Sequence, residues 1–116
     1  MEQKVVGFIP PVIGTEGEFN TFRLGLTYAR TLSPGDEVLL LNEKAKIVFG
    51  RARVERIETG CLGEMCLLYA HKNHTELSSD PDTAPQHLHK TLCRIYGPHI
   101  ATPTKKTTVI FMRRLE

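Results

Sequence analysis

Long apolar runs are missing from this chain. The longest strictly apolar stretch, Met65 to Ala70, falls far short of the ~20 residues that span a bilayer, so no transmembrane helix and no membrane partner are expected. A surplus of charge is missing too: 15 Lys and Arg face 13 Asp and Glu, a formal net charge of +2, which argues against tight nonspecific DNA binding. Cysteines are few and odd in number, Cys61, Cys66 and Cys93. The opening Met1-Glu2-Gln3-Lys4 holds an acidic residue and only a brief apolar stretch follows, so the charged and apolar regions of a secretory signal are absent. The expected setting is the cytoplasm, with reduced thiols and no disulfide. Neither Gly-x-x-x-x-Gly-Lys nor Gly-x-Gly-x-x-Gly occurs, so the nucleotide folds built on those loops receive no support. Collagen-like and disordered classes are excluded by composition.

What is present fits one ordinary domain over residues 1–116. The chain is 41% apolar and 24% charged, and at this length it buries roughly two-thirds of the surface its unfolded form exposes. A core therefore needs no metal or disulfide. Charge is unevenly spread: residues 44–56 carry Lys44, Lys46, Arg51, Arg53 and Arg56 against Glu55, and residues 101–116 carry Lys105, Lys106, Arg113 and Arg114 against Glu116. If these segments meet in space they form a positive face.

Lys4 to Ile9 is a β-branched and aromatic run halted by Pro10-Pro11, which cannot extend a central strand. Asn20 is a good N-cap before Phe22, Leu26 and Ala29 at helical spacing, predicting a helix over Thr21 to Thr31. Ser33-Pro34-Gly35-Asp36 is a turn signal, and a strand, Glu37 to Leu41, follows. Asn42 to Lys44 turns into a strand over Ala45 to Glu58, whose apolar residues change parity at Gly50. Keeping Ile47, Phe49, Ala52 and Val54 all inward requires an extra residue there, a bulge that glycine tolerates, with Arg51, Arg53 and Glu55 outward together.

Leu62, Met65, Cys66 and Tyr69 follow helical spacing, predicting a helix over residues 62–72. Asn73 to Ala84 reads as loop. Thr83 as cap, Pro85 in the first turn and Leu88, Leu92, Cys93 and Ile95 on one face mark a further helix ending at Gly97. Thr107 to Arg113 is apolar on both faces and should be a central strand. The order of elements suggests an α+β domain on a small, mostly antiparallel barrel with two to three helices.

The segment Thr21-Phe22-Arg23-Leu24-Gly25, Tyr28-Ala29-Arg30 and Leu32 to Val38 resembles the ASCH family of the PUA-like superfamily. The resemblance implies a PUA-like β-barrel that binds RNA or a modified nucleotide. Set on Gly25, the family's Gly-x-Lys-x-x-Glu-x-Arg pattern meets Thr27, Arg30 and Leu32, so the glycine is kept and the three chemical residues are replaced. Some ASCH proteins resemble amidohydrolases that release acyl groups from modified cytidine with a Lys, a Thr nucleophile and a Glu. The enzyme alternative is therefore a small hydrolase of an acylated nucleoside or of RNA, with Thr21 and Glu64 as its candidates. A threonine needs an adjacent base, which the predicted helix does not offer.

Arg23 and Arg30 suit phosphate clamps, since guanidinium stays charged and binds phosphate bidentately; their bland reading is a salt-bridged helix face. Lys46, Arg51, Arg53, Arg56, Lys105 and Lys106 suit a phosphate-backbone track, with Tyr28, Tyr69 or Tyr96 for stacking. The competing explanation is an edge strand protected by outward charge. His71, His74 and Cys66 are poorly spaced for zinc, and cysteines on apolar helix faces are usually small buried hydrophobes. No metal and no cofactor are expected. The leading expectation is an RNA- or modified-nucleotide-binding module with its cleft between the first helix and the sheet; a protein-interaction domain is the third possibility.

Overall fold

The alternation of Val6 and Phe8 inward with Val5 outward makes Lys4–Phe8 a strand, β1, that ends before a cis peptide bond between Pro10 and Pro11. The structure, a computed structural model, describes residues 3–115. Strands β2 (Glu18–Leu24), β3 (Glu37–Asn42), β4 (Ile47–Cys61) and β5 (Lys106–Arg114) join β1 in one sheet of order β1-β3-β4-β5-β2. All pairings are antiparallel except β1 with β3. Helices α1 (Thr27–Thr31), α2 (Leu62–Tyr69) and α3 (Ala84–Tyr96), with a 3-10 turn at Ala70–Lys72, complete an α+β fold.

The sheet is not closed. It curls until Phe8 of β1 and Phe19 of β2 touch edge to face, ring centroids 6.3 Å apart, but the two strands share no ladder. β1 is only five residues long, and the outer side of β2 is bridged at Asn20 by Asn73 instead. The expected barrel is thus an open, mixed sheet.

The predicted helix over Thr21 to Thr31 is corrected to a strand, β2, followed by a single helical turn. Phe19, Asn20, Thr21 and Phe22 are all buried, so β2 lacks the apolar-polar alternation that identifies a half-exposed strand. Gly25, at φ +89°, ends it and donates to the Lys106 carbonyl at 2.7 Å.

Two cores share β5. Ile110 and Met112 pack inside the curl with Val6, Phe8, Val38, Leu40 and Val54. Val109 lies on the other face beneath α2 and α3, with Leu62, Met65, Leu88 and Leu92. The interior position expected of this strand follows from that double burial. Thr83 does not cap α3; its hydroxyl donates to the Asp80 carbonyl at 3.2 Å, while Pro85 occupies the first turn and Gly97, at φ +93°, ends the helix.

The bulge expected at Gly50 is present one residue earlier, Phe49 being the extra residue between Val48, opposite Leu41, and Gly50, opposite Leu40. Phe49 packs against the inner core and Val54 is buried. A Cβ at Gly50 would meet the Arg114 guanidinium, the movable end of that side chain, which donates to the Phe49 carbonyl at 2.7 Å. A second bulge, at Glu55, was not foreseen.

Candidate functional site

On the inner face of β2, Phe19, Thr21 and Arg23 follow one another at strand period. Thr21 and Arg23 reach a cavity of about 230 Å³, walled by the end of β1, the Pro10-Pro11 turn, residues 73–76 and α3. Helix α1 is not among its walls, so the cleft lies elsewhere than between the first helix and the sheet.

Arg23 is half-buried. Its guanidinium lies 5.0 Å from the Phe8 ring centroid and 5.9 Å from that of Tyr28. Among the described residues it has no ion pair with a carboxylate, although Tyr96 hydrogen-bonds the group and Glu43 acts on it from a distance; its Nε alone is fully buried without a hydrogen-bond partner. Burial lowers its pKa from the ordinary value, partly offset by Tyr28 and Tyr96. A desolvated, unsatisfied donor costs about 1–3 kcal/mol, and more when charged. Nε itself has no exposed surface; what an acceptor in the cavity can meet is the remaining, partly exposed portion of this desolvated cation.

His74 is buried on the adjoining wall, its ring edge-on to Phe8 at 5.1 Å and to Phe19 at 6.2 Å. Burial pushes its pKa down to about 4, against the Ile13 carbonyl that holds it. Nδ1 lies 3.0 Å from that carbonyl and therefore carries the proton, which leaves Nε2 an acceptor. Gly14 is required beside it: its φ is +71°, and a Cβ would collide with the His74 carbonyl.

Glu76 also lines the cavity, its side chain wholly buried. His87 of α3 donates from Nδ1 to Oε1 at 2.6 Å. The Thr75 hydroxyl lies 2.8 Å from Oε2 and 2.7 Å from Asn73 Oδ1, and its single proton serves one of them. This network ties the 73–76 wall to α3. The cavity is thus bordered by a cationic donor, a neutral imidazole, a buried hydroxyl and the Glu76 carboxylate turned to His87 and Thr75.

Of the residues expected from sequence, Thr21 and Arg23 converge here. Glu64 sits exposed in the first turn of α2, with Cys61 Sγ 3.9 Å from its carboxylate. Arg30 is exposed in the last turn of α1. Lys46 turns at φ 59° between β3 and β4 and pairs with Glu43 at 3.4 Å. Arg51 and Arg53 approach Glu37 at 2.9 and 3.9 Å. Arg56 lies over Phe111 and pairs with Glu58 at 3.3 Å. The carbonyls of Lys105 and Lys106 receive the Leu62 and Gly25 amides.

The two basic segments do meet, since Arg53 and Arg113 are cross-strand neighbours. Glutamates intervene: Arg113 pairs with Glu18 and Glu55 as Arg51 does with Glu37. β4 lies in the middle of the sheet, so edge protection does not account for its charges. Burial pushes the Cys66 thiol up to about 12, and no three His, Cys, Asp or Glu side chains converge as metal ligands among the described residues. Glu76 was missed and His74 was weighed only as a metal ligand, because nothing local marks a polar residue in a turn-rich stretch as buried; Phe8 was read only as part of a strand.

No family model matches the chain and no curated protein does. Solved structures match well. The hypothetical protein PH0355 aligns with a TM-score of 0.65 at 15% identity, over 98% of this chain and 100% of its own. EF3133 from Enterococcus faecalis, described as DUF984, aligns at 0.61 and 9% identity over 90% of this chain, which spans 64% of that protein's length. A Tyr-to-Phe variant of ZmASCH from Zymomonas mobilis aligns at 0.54 and 15% identity over 94% of this chain and 67% of its own. No described helix is long and apolar enough to cross a membrane. These likenesses, on top of the curled sheet and its flanking helices, show that the chain has an ASCH-like fold.

Proposed function

We propose that the chain is a binding module that takes one base of RNA, or of a modified nucleotide, into the cavity formed by β1, β2, residues 73–76 and α3. The observation that carries this reading is the largely desolvated Arg23 guanidinium, which lines the cavity with no carboxylate ion pair among the described residues. A planar ligand with an acceptor edge supplies what the site lacks, and RNA modules commonly combine aromatic stacking with hydrogen bonds to a base edge. At about 230 Å³ the cavity lies below the ~300–1,000 Å³ of pockets for drug-sized ligands, a fit for a single heterocycle. The ASCH-like fold is in keeping with this reading.

The test is titration of a panel of ribonucleosides and acylated cytidine by calorimetry. Arg23→Ala is expected to weaken the best ligand roughly 10- to 100-fold, the worth of one charge-assisted contact of about 1.5–3 kcal/mol. The melting temperature should hold or rise, since a buried cation is removed. No binding by any member of the panel, or no effect of the substitution, refutes the reading.

One observation favours hydrolysis as a second reading: the Thr21 hydroxyl and the neutral His74 line the same cavity, a hydroxyl and a base of the kinds that nucleophilic catalysis combines. Consumption of the bound nucleoside, stopped by Thr21→Ala, would establish it; recovery of intact ligand leaves the binding module.

A further inference from the structure

A second recess lies across β2 and residues 71–77 from the cavity. Glu18 and Phe19 of β2, with His71, Lys72 and Leu77, line this groove. Thr21 and Arg23 of the same strand, with residues 73–76, line the cavity. The two recesses are therefore lined by neighbouring stretches of β2 and of the 71–77 segment.

The groove is built around Arg56. Its guanidinium carbon is 4.0 Å from the Phe111 ring centroid and 5.4 Å from that of Tyr69, and the two rings meet edge to face at 5.1 Å. Its Nε pairs with Glu58 at 3.3 Å, which fixes the plane of the group, yet the side chain is 53% exposed. The β4 bulge produces this stack. Glu55 is extruded between Val54, opposite Met112, and Arg56, opposite Phe111. In a regular ladder Glu55 would face Phe111 and Arg56 would face Ile110 of the inner core; the bulge gives that inward place to Ile57. Re-aiming a side chain is a known use of such bulges.

We infer that this groove is a second base-binding subsite, in which the nucleotide next to the one held in the cavity stacks its base on the outward face of the Arg56 guanidinium. The inference rests on the cavity reading for the neighbouring nucleotide. Bases stack on guanidinium planes as they do on aromatic rings, and here the lower face is already seated on Phe111. Charge agrees with a nucleic-acid strand: Lys72 and His71 are exposed in the groove and Lys72 has no ion pair among the described residues, while Glu18 and Glu55 are both engaged by Arg113. Because β2 and residues 71–77 contribute to both recesses, one strand running along them would occupy them in sequence.

The test uses heptameric oligouridylate, oligoadenylate and oligocytidylate, each with a central 2-aminopurine, beside the nucleosides of the cavity assay. The best heptamer is expected to bind at least about tenfold tighter than its nucleoside and to be quenched on binding. Arg56→Lys, which keeps the charge and loses the plane, should weaken the heptamer roughly 5- to 100-fold and abolish quenching, leaving nucleoside affinity and melting temperature unchanged. Arg23→Ala should weaken both ligands. Nucleoside binding with no gain for the heptamer, or quenching indifferent to Arg56→Lys, overturns the subsite alone and leaves the groove with its exposed Leu68 and Leu77 to a protein segment. Heptamer quenching that needs Arg56 without any nucleoside binding supports the subsite and overturns the cavity. Binding of neither overturns both.

Discussion

Arg23 and His74 illustrate opposite responses to burial. The guanidinium stays charged and keeps an unsatisfied Nε, whereas the imidazole gives up its charge, with a pKa of about 4. Because that value lies below the ~6.5 of an exposed histidine, the unfolded chain binds more protons than the folded one between the two values. Stability contributed by neutral His74 is therefore complete above pH ~6.5 and falls as pH drops toward 4, by up to about 1.4 kcal/mol per pH unit. His74→Gln is expected to flatten this loss, measured as urea midpoints from pH ~7 to ~5. An equally steep decline in the variant would assign the acid sensitivity elsewhere.

At the scale of elements, β4 changes parity twice and each change has its own cause. At Gly50 an added Cβ would push the Arg114 guanidinium away from the Phe49 and Thr15 carbonyls, so Gly50→Ala should lower stability by about 1 kcal/mol, the worth of such hydrogen bonds, whereas Gly17→Ala, with open space around it, should stay within about 0.5 kcal/mol. Urea denaturation separates the two. The first bulge was legible because Phe49 and Val54 are both apolar and out of phase. The Glu55 bulge was not, since Glu55 and Arg56 are polar on either face and leave periodicity nothing to detect. α3 was legible through Leu88 and Leu92, and β5 through apolar residues on both faces. β2 was misread because Asn20 and Thr21, suited to a cap, are instead buried in the sheet; Asn20 donates to the Tyr69 carbonyl at 3.0 Å. Glu76 lay in a stretch whose composition reads as loop, and its side chain is held by His87 of α3, a contact that no local pattern signals.

Over the whole molecule, positive charge is abundant on the sheet yet largely answered by glutamates. Arg51→Ala and Arg53→Ala are accordingly expected to change RNA affinity less than about twofold and stability by no more than about 1 kcal/mol, the usual range for exposed pairs. The plot of log affinity against log salt should have a slope smaller in magnitude than about 2, given ~0.7 for each single-strand phosphate neutralised. A steep slope that these substitutions flatten would restore the basic strand as a phosphate track. The strand order has a consequence in time. Among the described residues β2, which carries Thr21 and Arg23, is laddered only to β5, the last described strand, in a register that sets Glu18 beside Arg113 and Leu24 beside Thr107. Pairings so distant in sequence form late, and on a ribosome β5 emerges after the other described elements. The cavity wall is thus among the last parts to take shape, and a nascent chain stalled before Lys106 carries every residue of the candidate cavity without the strand that holds β2 in place.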